Sequence, residues 1–274
     1  MAPGTCLLCQ LPKDLADSHF LPAAAYKALY ATGLPVNEPM VTTSKRVFQS
    51  SRQITAHRFC SECEDRFNSG GESWMLDKLA TLSVFPLREM VLASSPIIDE
   101  ADFKVFSCDR VPEFKIEKLV HFAVGLFWKS AACTWPMLDG PVNRIDLGPY
   151  LEPIRRFVHG TGPFPQNVCL VVYLDSSTPP LIAMTPPRKF QNELFHLFVF
   201  YINGLQCMLC VGKRAPGSYG DMSIASGPGH PIFLMPEVGN RFFEVMKPYT
   251  QNSRPSTRIM KTLEEWKKLR GRSL

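Results

Sequence analysis

Apolar side chains recur along this chain with two different periods, and the change of period marks its elements. From Lys115 to Ala132 (Lys-Ile-Glu-Lys-Leu-Val-His-Phe-Ala-Val-Gly-Leu-Phe-Trp-Lys-Ser-Ala-Ala) they cover most of a helical circumference. This pattern predicts a largely buried central helix, closed by Trp135-Pro136. His121 stands one turn after Glu117 in it and reads as a satisfied polar edge. Between residues 168 and 211 the pattern is that of a sheet. Val168–Leu174 is a continuous run rich in β-branched residues, and Phe195–Ile202 and Leu205–Val211 are joined by Asn203-Gly204, the strongest short signal for a hairpin.

The remaining segments carry weaker signals. Ala23–Tyr30 reads as a short helix entered through Pro22 and ended by Thr32-Gly33-Leu34-Pro35. Residues 36–59 read as extended, with Val36, Val41, Val47, Phe48, Ile54 and Phe59 set among polar neighbours. Ser61–Asn68 is compatible with a helix that Gly70-Gly71 stops, and Trp74–Leu82 with a further one. A helix over Leu147–Val158 carries Arg155 and Arg156 near its C-terminal end, where cations suit the dipole. Residues 215–231, rich in Gly and Pro, predict a loop in which His230 has no evident partner, and Ser256–Arg270 an amphipathic helix burying Ile259, Leu263 and Trp266. The fold class is therefore α+β: a zinc-binding module over residues 1–83, then a mixed helical and antiparallel-sheet domain over 84–274.

Composition narrows the class. With 274 residues, 45% of them hydrophobic and 20% charged, the chain can bury a substantial core. The start, Met1-Ala2-Pro3-Gly4-Thr5-Cys6, has neither a basic nor an apolar leader region, and the longest apolar run, around residues 119–128, is too short to span a bilayer. The expectation is a soluble cytoplasmic protein with no membrane partner. Nine cysteines, an odd number, fit reduced thiols better than a disulfide framework. Neither an internal repeat nor a nucleotide-binding glycine loop, a serine-nucleophile elbow or a kinase signature is present, so most enzyme classes lose support.

Four of the cysteines carry the chemistry. Cys6-Leu7-Leu8-Cys9 and Cys60-Ser61-Glu62-Cys63 are Cys-x2-Cys pairs, and a two-residue spacer turns both sulfurs of a pair toward one tetrahedral ion. Four soft ligands select Zn2+ in a structural site. A redox pair would open the helix of a βαβ unit, a pattern neither pair shows. Cys207-Met208-Leu209-Cys210 repeats the spacing, but on a strand, where a separation of three puts the two thiols on opposite faces. These two are packing residues.

Charge adds a candidate partner. The chain has a formal charge of +5, and residues 254–274 alone hold seven basic side chains (Arg254, Arg258, Lys261, Lys267, Lys268, Arg270 and Arg272) against Glu264 and Glu265. The rest of the chain is neutral overall. Within it, Lys45, Arg46, Arg52 and Arg58 lie in a stretch, 39–61, without an acidic residue. Such clusters contact phosphates without reading sequence, and equally form solvated faces.

A knuckle, a hairpin, a second knuckle and a helix follow one another in the order of a treble-clef zinc module. Over residues 5–73 the segments Cys-Leu-Leu-Cys, Asp-Ser-His-Phe-Leu-Pro and Phe-Cys-Ser-Glu-Cys-Glu, with the following Asp-Arg-Phe-Asn, resemble the HNH-endonuclease type of treble clef (ββα). The resemblance implies His19 as general base toward water, and Asp17 with Glu64 or Asn68 as ligands of a catalytic Mg2+ or Mn2+. Phosphodiester hydrolysis needs such a base and such a cation. Three readings stay open. One is a metal-dependent nuclease acting on DNA or RNA. Another is a non-catalytic nucleic-acid-binding or defence-associated module with structural zinc. The third is a scaffold that binds another protein.

Overall fold

The computed structural model describes residues 2–30, 38–137, 140–142, 144–190, 196–261 and 264. The chain starts with strand β1 (Ala2–Thr5), which pairs antiparallel with β2 (Pro12–His19). A 3-10 turn over Ala23–Tyr26 leads into the single helical turn α1 (Lys27–Tyr30). The segment expected to be extended then forms β3 (Met40–Thr42), β4 (Arg46–Gln49) and β5 (Thr55–Cys60). β5 joins the first sheet, in the order β1-β2-β5, while β3 and β4 form a separate hairpin. Of the expected end of the first helix, Thr32 to Pro35 lie outside the described residues.

One helical path then runs from residue 61 to 76: α2 (Ser61–Phe67), a π-helical turn over Asn68–Glu72, and α3 (Ser73–Leu76). The glycine pair does not stop the helix, contrary to expectation. It is needed for close approach: a Cβ on Gly70 would lie 2.3 Å from His121 Cε1, and one on Gly71 would lie 2.3 Å from the Lys118 carbonyl oxygen. The expected helix over 74–82 correspondingly ends at Leu76. After α4 (Pro86–Leu92) come β6 (Ile98–Asp99), β7 (Lys104–Ser107) and the long helix α5 (Ile116–Ala132), in which residues 119, 120 and 122–131 are buried. Next is α6 (Leu151–His159), closed by Gly160 in the left-handed conformation.

The larger sheet has seven strands. β8 (Val168–Asp175), β9 (Met184–Phe190), β10 (His196–Ile202), β11 (Leu205–Val211) and, beyond the short helix α7 (Ala215–Tyr219), β12 (Pro231–Met235) join β6 and β7 in the order β6-β7-β12-β8-β11-β10-β9. The β10–β11 turn has Asn203 at φ 40° and Gly204 at φ 83°, the primed geometry of a two-residue hairpin. Phe195 lies outside the described residues. The chain continues through α8 (Val238–Thr250), then β13 (Arg254–Pro255), which pairs parallel with β4. Residues 257–261 are helical with Ile259 buried, while Leu263, Trp266, Lys267, Lys268 and Arg270 lie outside the described residues.

The mixed helices and sheets make this an α+β chain. Alternation along the strands divides the core in two: Leu170, Val172, Cys207 and Leu209 face the layer of α5, while Cys169, Val171, Met208 and Cys210 face the layer of α7 and α8. Cys207 and Cys210 thus enter different layers. The layer around α5 is continuous with the N-terminal sheet. Phe59 packs on Phe67 at 5.1 Å and on Trp128 at 5.8 Å, and Phe127, on the same helix, packs on Phe200 of the large sheet at 4.9 Å.

Candidate metal centre

The first cysteine pair sits in the turn between β1 and β2. Cys6 N–H donates to the Leu11 carbonyl at 3.0 Å, Gln10 N–H donates to the Cys6 carbonyl at 2.8 Å, and Gln10 takes φ 63°. This tight knuckle points both thiols the same way. The second pair is set by a helix start: Cys60 ends β5 as the residue before α2, and Cys63 falls in the first turn. Leu7 N–H donates to the Arg58 carbonyl at 3.1 Å, which fixes one knuckle against the other. Arg155, reaching from α6, donates to the Leu8 carbonyl and is itself held by Glu152 at 2.7 Å.

The sulfurs of Cys6, Cys9, Cys60 and Cys63 all lie within 4.8 Å of one another, with Cys9 and Cys60 at 4.0 Å. Tetrahedral zinc with bonds of about 2.3 Å spaces its sulfurs by about 3.8 Å, so the four can close on one ion with small side-chain adjustment. Cys6, Cys60 and Cys63 are buried and Cys9 is half-buried. A hydrogen bond from Cys63 holds the Cys6 thiol down, to about 4, and in return the proton on Cys63 is bound far above its usual range, chiefly by that bond and by burial. Burial also raises Cys60. Four thiolates this close repel one another, and a divalent ion at their centre lets all four lose their protons. These cysteines fit zinc.

The residues assigned to catalysis by resemblance are dispersed around β2. A register irregularity between Leu15 and Asp17 leaves Ser18 fully buried, with Asp17 exposed and His19 half-buried on the other face. The Ser18 hydroxyl accepts from Phe59 N–H at 3.1 Å. Glu64, in α2, lies on the Ser18 side. Burial pushes its carboxyl above the usual range, while Lys129 and the Ser18 hydroxyl pull it back, and His19 is the weakest of the influences on it. Its Oε1 is buried with no hydrogen-bond partner among the described residues. Asn68 is exposed, and its Oδ1 accepts from the Ser73 hydroxyl at 2.6 Å. Asp17 stands opposite His57, and His19 opposite Thr55.

Two residues that sequence reasoning passed over complete the arrangement. Lys129 of α5 is 1% exposed; its ammonium donates to Glu72 Oε1 at 2.8 Å and to the His19 carbonyl at 3.3 Å, and lies 4.1 Å from the centre of the Phe67 ring. Glu72 closes the π-helical turn and its side chain is 15% exposed. The signal for this cluster was present: Lys129 is the single charged residue between Leu119 and Ala132. A lysine buried at such a place requires a carboxylate.

Comparison with family models, curated proteins and solved structures finds no match to this chain. No helix among the described residues is long and apolar enough to cross a membrane.

Proposed function

We propose that this chain is a zinc-stabilised nucleic-acid-binding protein that uses an HNH-like treble-clef module for binding rather than for hydrolysis. The Lys129 ammonium carries this reading. In HNH-type enzymes a divalent ion is held between the strand that ends in the general-base histidine and the helix after the second knuckle. Here Lys129 enters from α5, takes the Glu72 carboxylate and the His19 carbonyl, and lies close enough to Glu64 to act on its proton. An ammonium fixed there supplies positive charge with no open coordination position, so it neutralises the carboxylates without activating water. Zinc on the four cysteines then serves the fold.

A second reading has one observation in its favour. Asp17 and His19 share the face of β2 that is not packed on the core, and His57 stands directly opposite Asp17 on β5. Three donor side chains on one face are a starting point for metal-assisted hydrolysis, with His19 as base.

Nicking and binding assays on the zinc-loaded protein, with Mg2+ and with Mn2+, separate the two. The proposal expects binding of DNA or RNA oligonucleotides without cleavage, and a His19→Ala protein that binds as well as the parent. Cleavage that His19→Ala reduces by about 10²–10⁴-fold, with zinc content unchanged, would replace it by the nuclease reading.

A further inference from the structure

The fold brings the two basic segments of this chain, about 200 positions apart in the sequence, side by side. β13 lies parallel to β4 with Arg254 directly opposite Arg46, in the small sheet β13-β4-β3. Arg254 N–H donates to the Lys45 carbonyl at 3.0 Å, Ser256 N–H donates to the Val47 carbonyl at 2.8 Å, and the Ser253 hydroxyl donates to the Thr43 carbonyl. The helical turn that follows presents Arg258 and Lys261, three positions apart and so on one face. Lys45, Arg46, Arg254, Arg258 and Lys261 are all exposed, as is Arg52 just beyond β4.

This arrangement concentrates positive charge in one part of the fold. Like charges directly opposite on neighbouring strands repel, and Arg254 stands opposite Arg46. Glu38 pairs with Arg258 at 3.0 Å, and Arg46 stacks over Phe48 at 4.9 Å. Lys45, Arg254 and Lys261 extend the positive surface beyond these contacts. The neighbouring groove, about 290 Å³, is lined by Thr42, Ser44, Ser50 and Arg52 together with apolar side chains such as Met40, Val41 and Phe48. Cations gathered on neighbouring strands and the helical turn after them, with the hydroxyl-bearing side chains of Thr42, Ser44 and Ser50 nearby, match a ligand that repeats a negative charge and offers oxygen acceptors at each repeat.

We infer that the sheet β13-β4-β3 is a binding surface for the phosphodiester backbone of a nucleic acid, contacting phosphates and leaving the bases unread. The inference rests on the nucleic-acid reading above and names the surface that performs it. Arginine and lysine contacts to phosphate release counterions, so affinity falls with salt in proportion to the number of contacts.

The test is a triple variant, Lys45→Gln/Arg254→Gln/Lys261→Gln, compared with the parent and with Lys213→Gln/Arg214→Gln/Arg241→Gln, which removes three exposed cations from outside this sheet. Fluorescence anisotropy with duplex DNA across a range of KCl concentrations gives the slope of log affinity against log salt. Three lost contacts should flatten that slope by about 2.7, at about 0.9 each, with relative affinities for different sequences unchanged. The second triple variant should keep the parent's slope. An unchanged slope in the first variant overturns the surface while nucleic-acid binding itself stands. A parent protein that binds no oligonucleotide brings down both. Binding to phosphatidylcholine vesicles containing phosphatidylserine in preference to DNA, lost in the first variant, would reassign the surface to a membrane.

Discussion

At the scale of single residues, the decisive contrast is between charges that have a partner and charges that await one. Lys129 has given up nearly all contact with water and holds Glu72 at 2.8 Å, so removing either partner leaves a buried charge alone. Lys129→Ala should destabilise the fold by about 3–5 kcal/mol in urea unfolding, whereas Lys129→Met combined with Glu72→Leu, which removes both charges, should recover most of that loss. Equal destabilisation in the single and double variants would show that the lysine acts by filling space and not as a counterion. The four cysteines were legible in the sequence because two spacings of two residues state a ligand geometry without help from the rest of the chain. Lys129 and Glu72 were not legible as a pair, since 57 positions separate them and only the packing of α5 on the π-helical turn brings them together.

That turn belongs to the element scale, where the reading of the sequence succeeded with regular patterns and failed with interrupted ones. The buried helix α5 and the β10–β11 hairpin follow from periodicity and from Asn203-Gly204. Residues 61–76 were divided at Gly70-Gly71 because glycine ordinarily ends a helix, yet here its missing side chain admits His121 and the backbone of α5. β9 does not stand out in the pattern, since Pro186 and Pro187 interrupt it; it is the outer strand of the large sheet, where proline is tolerated. The turn has a measurable consequence through His121. Its Nε2 lies 3.0 Å from the Val158 carbonyl, its Nδ1 is buried with no hydrogen-bond partner among the described residues, and burial lowers its proton affinity, with Lys118 and Lys129 adding to the effect and Val158 and Glu72 opposing it. A histidine whose folded pKa is depressed contributes stability above its unfolded value of about 6.5, and that contribution is lost as pH falls toward the folded pKa. The melting temperature should therefore drop between pH 7.5 and 5.5, and the drop should be smaller in His121→Gln. Identical pH profiles for the two proteins would remove His121 from the account.

At the scale of the whole molecule, the four-cysteine site and the large sheet are linked by one body of packed side chains. The chain of contacts runs from buried Cys60 and Cys63 through Phe59 and Phe67 to Trp128 and, along α5, to Phe127 against Phe200. Metal binding to such a site is folding free energy, of the order of 10 kcal/mol for structural zinc near neutral pH. With a separate finger, chelation would unfold the finger alone and leave the sheet at its own melting temperature. Here an ion held by the four cysteines would support β5 and α2, and with them the surface on which the C-terminal half of α5 packs. Cys63→Ser should therefore purify without stoichiometric zinc by mass spectrometry, and calorimetry should show the unfolding of the whole chain moved to lower temperature as one transition. Treating the parent protein with a chelator should have the same effect. Two separate transitions, only the lower of them sensitive to zinc, would mean that the packing between the module and α5 does not couple them; a protein that melts unchanged after chelation would mean that the four cysteines hold no structural ion.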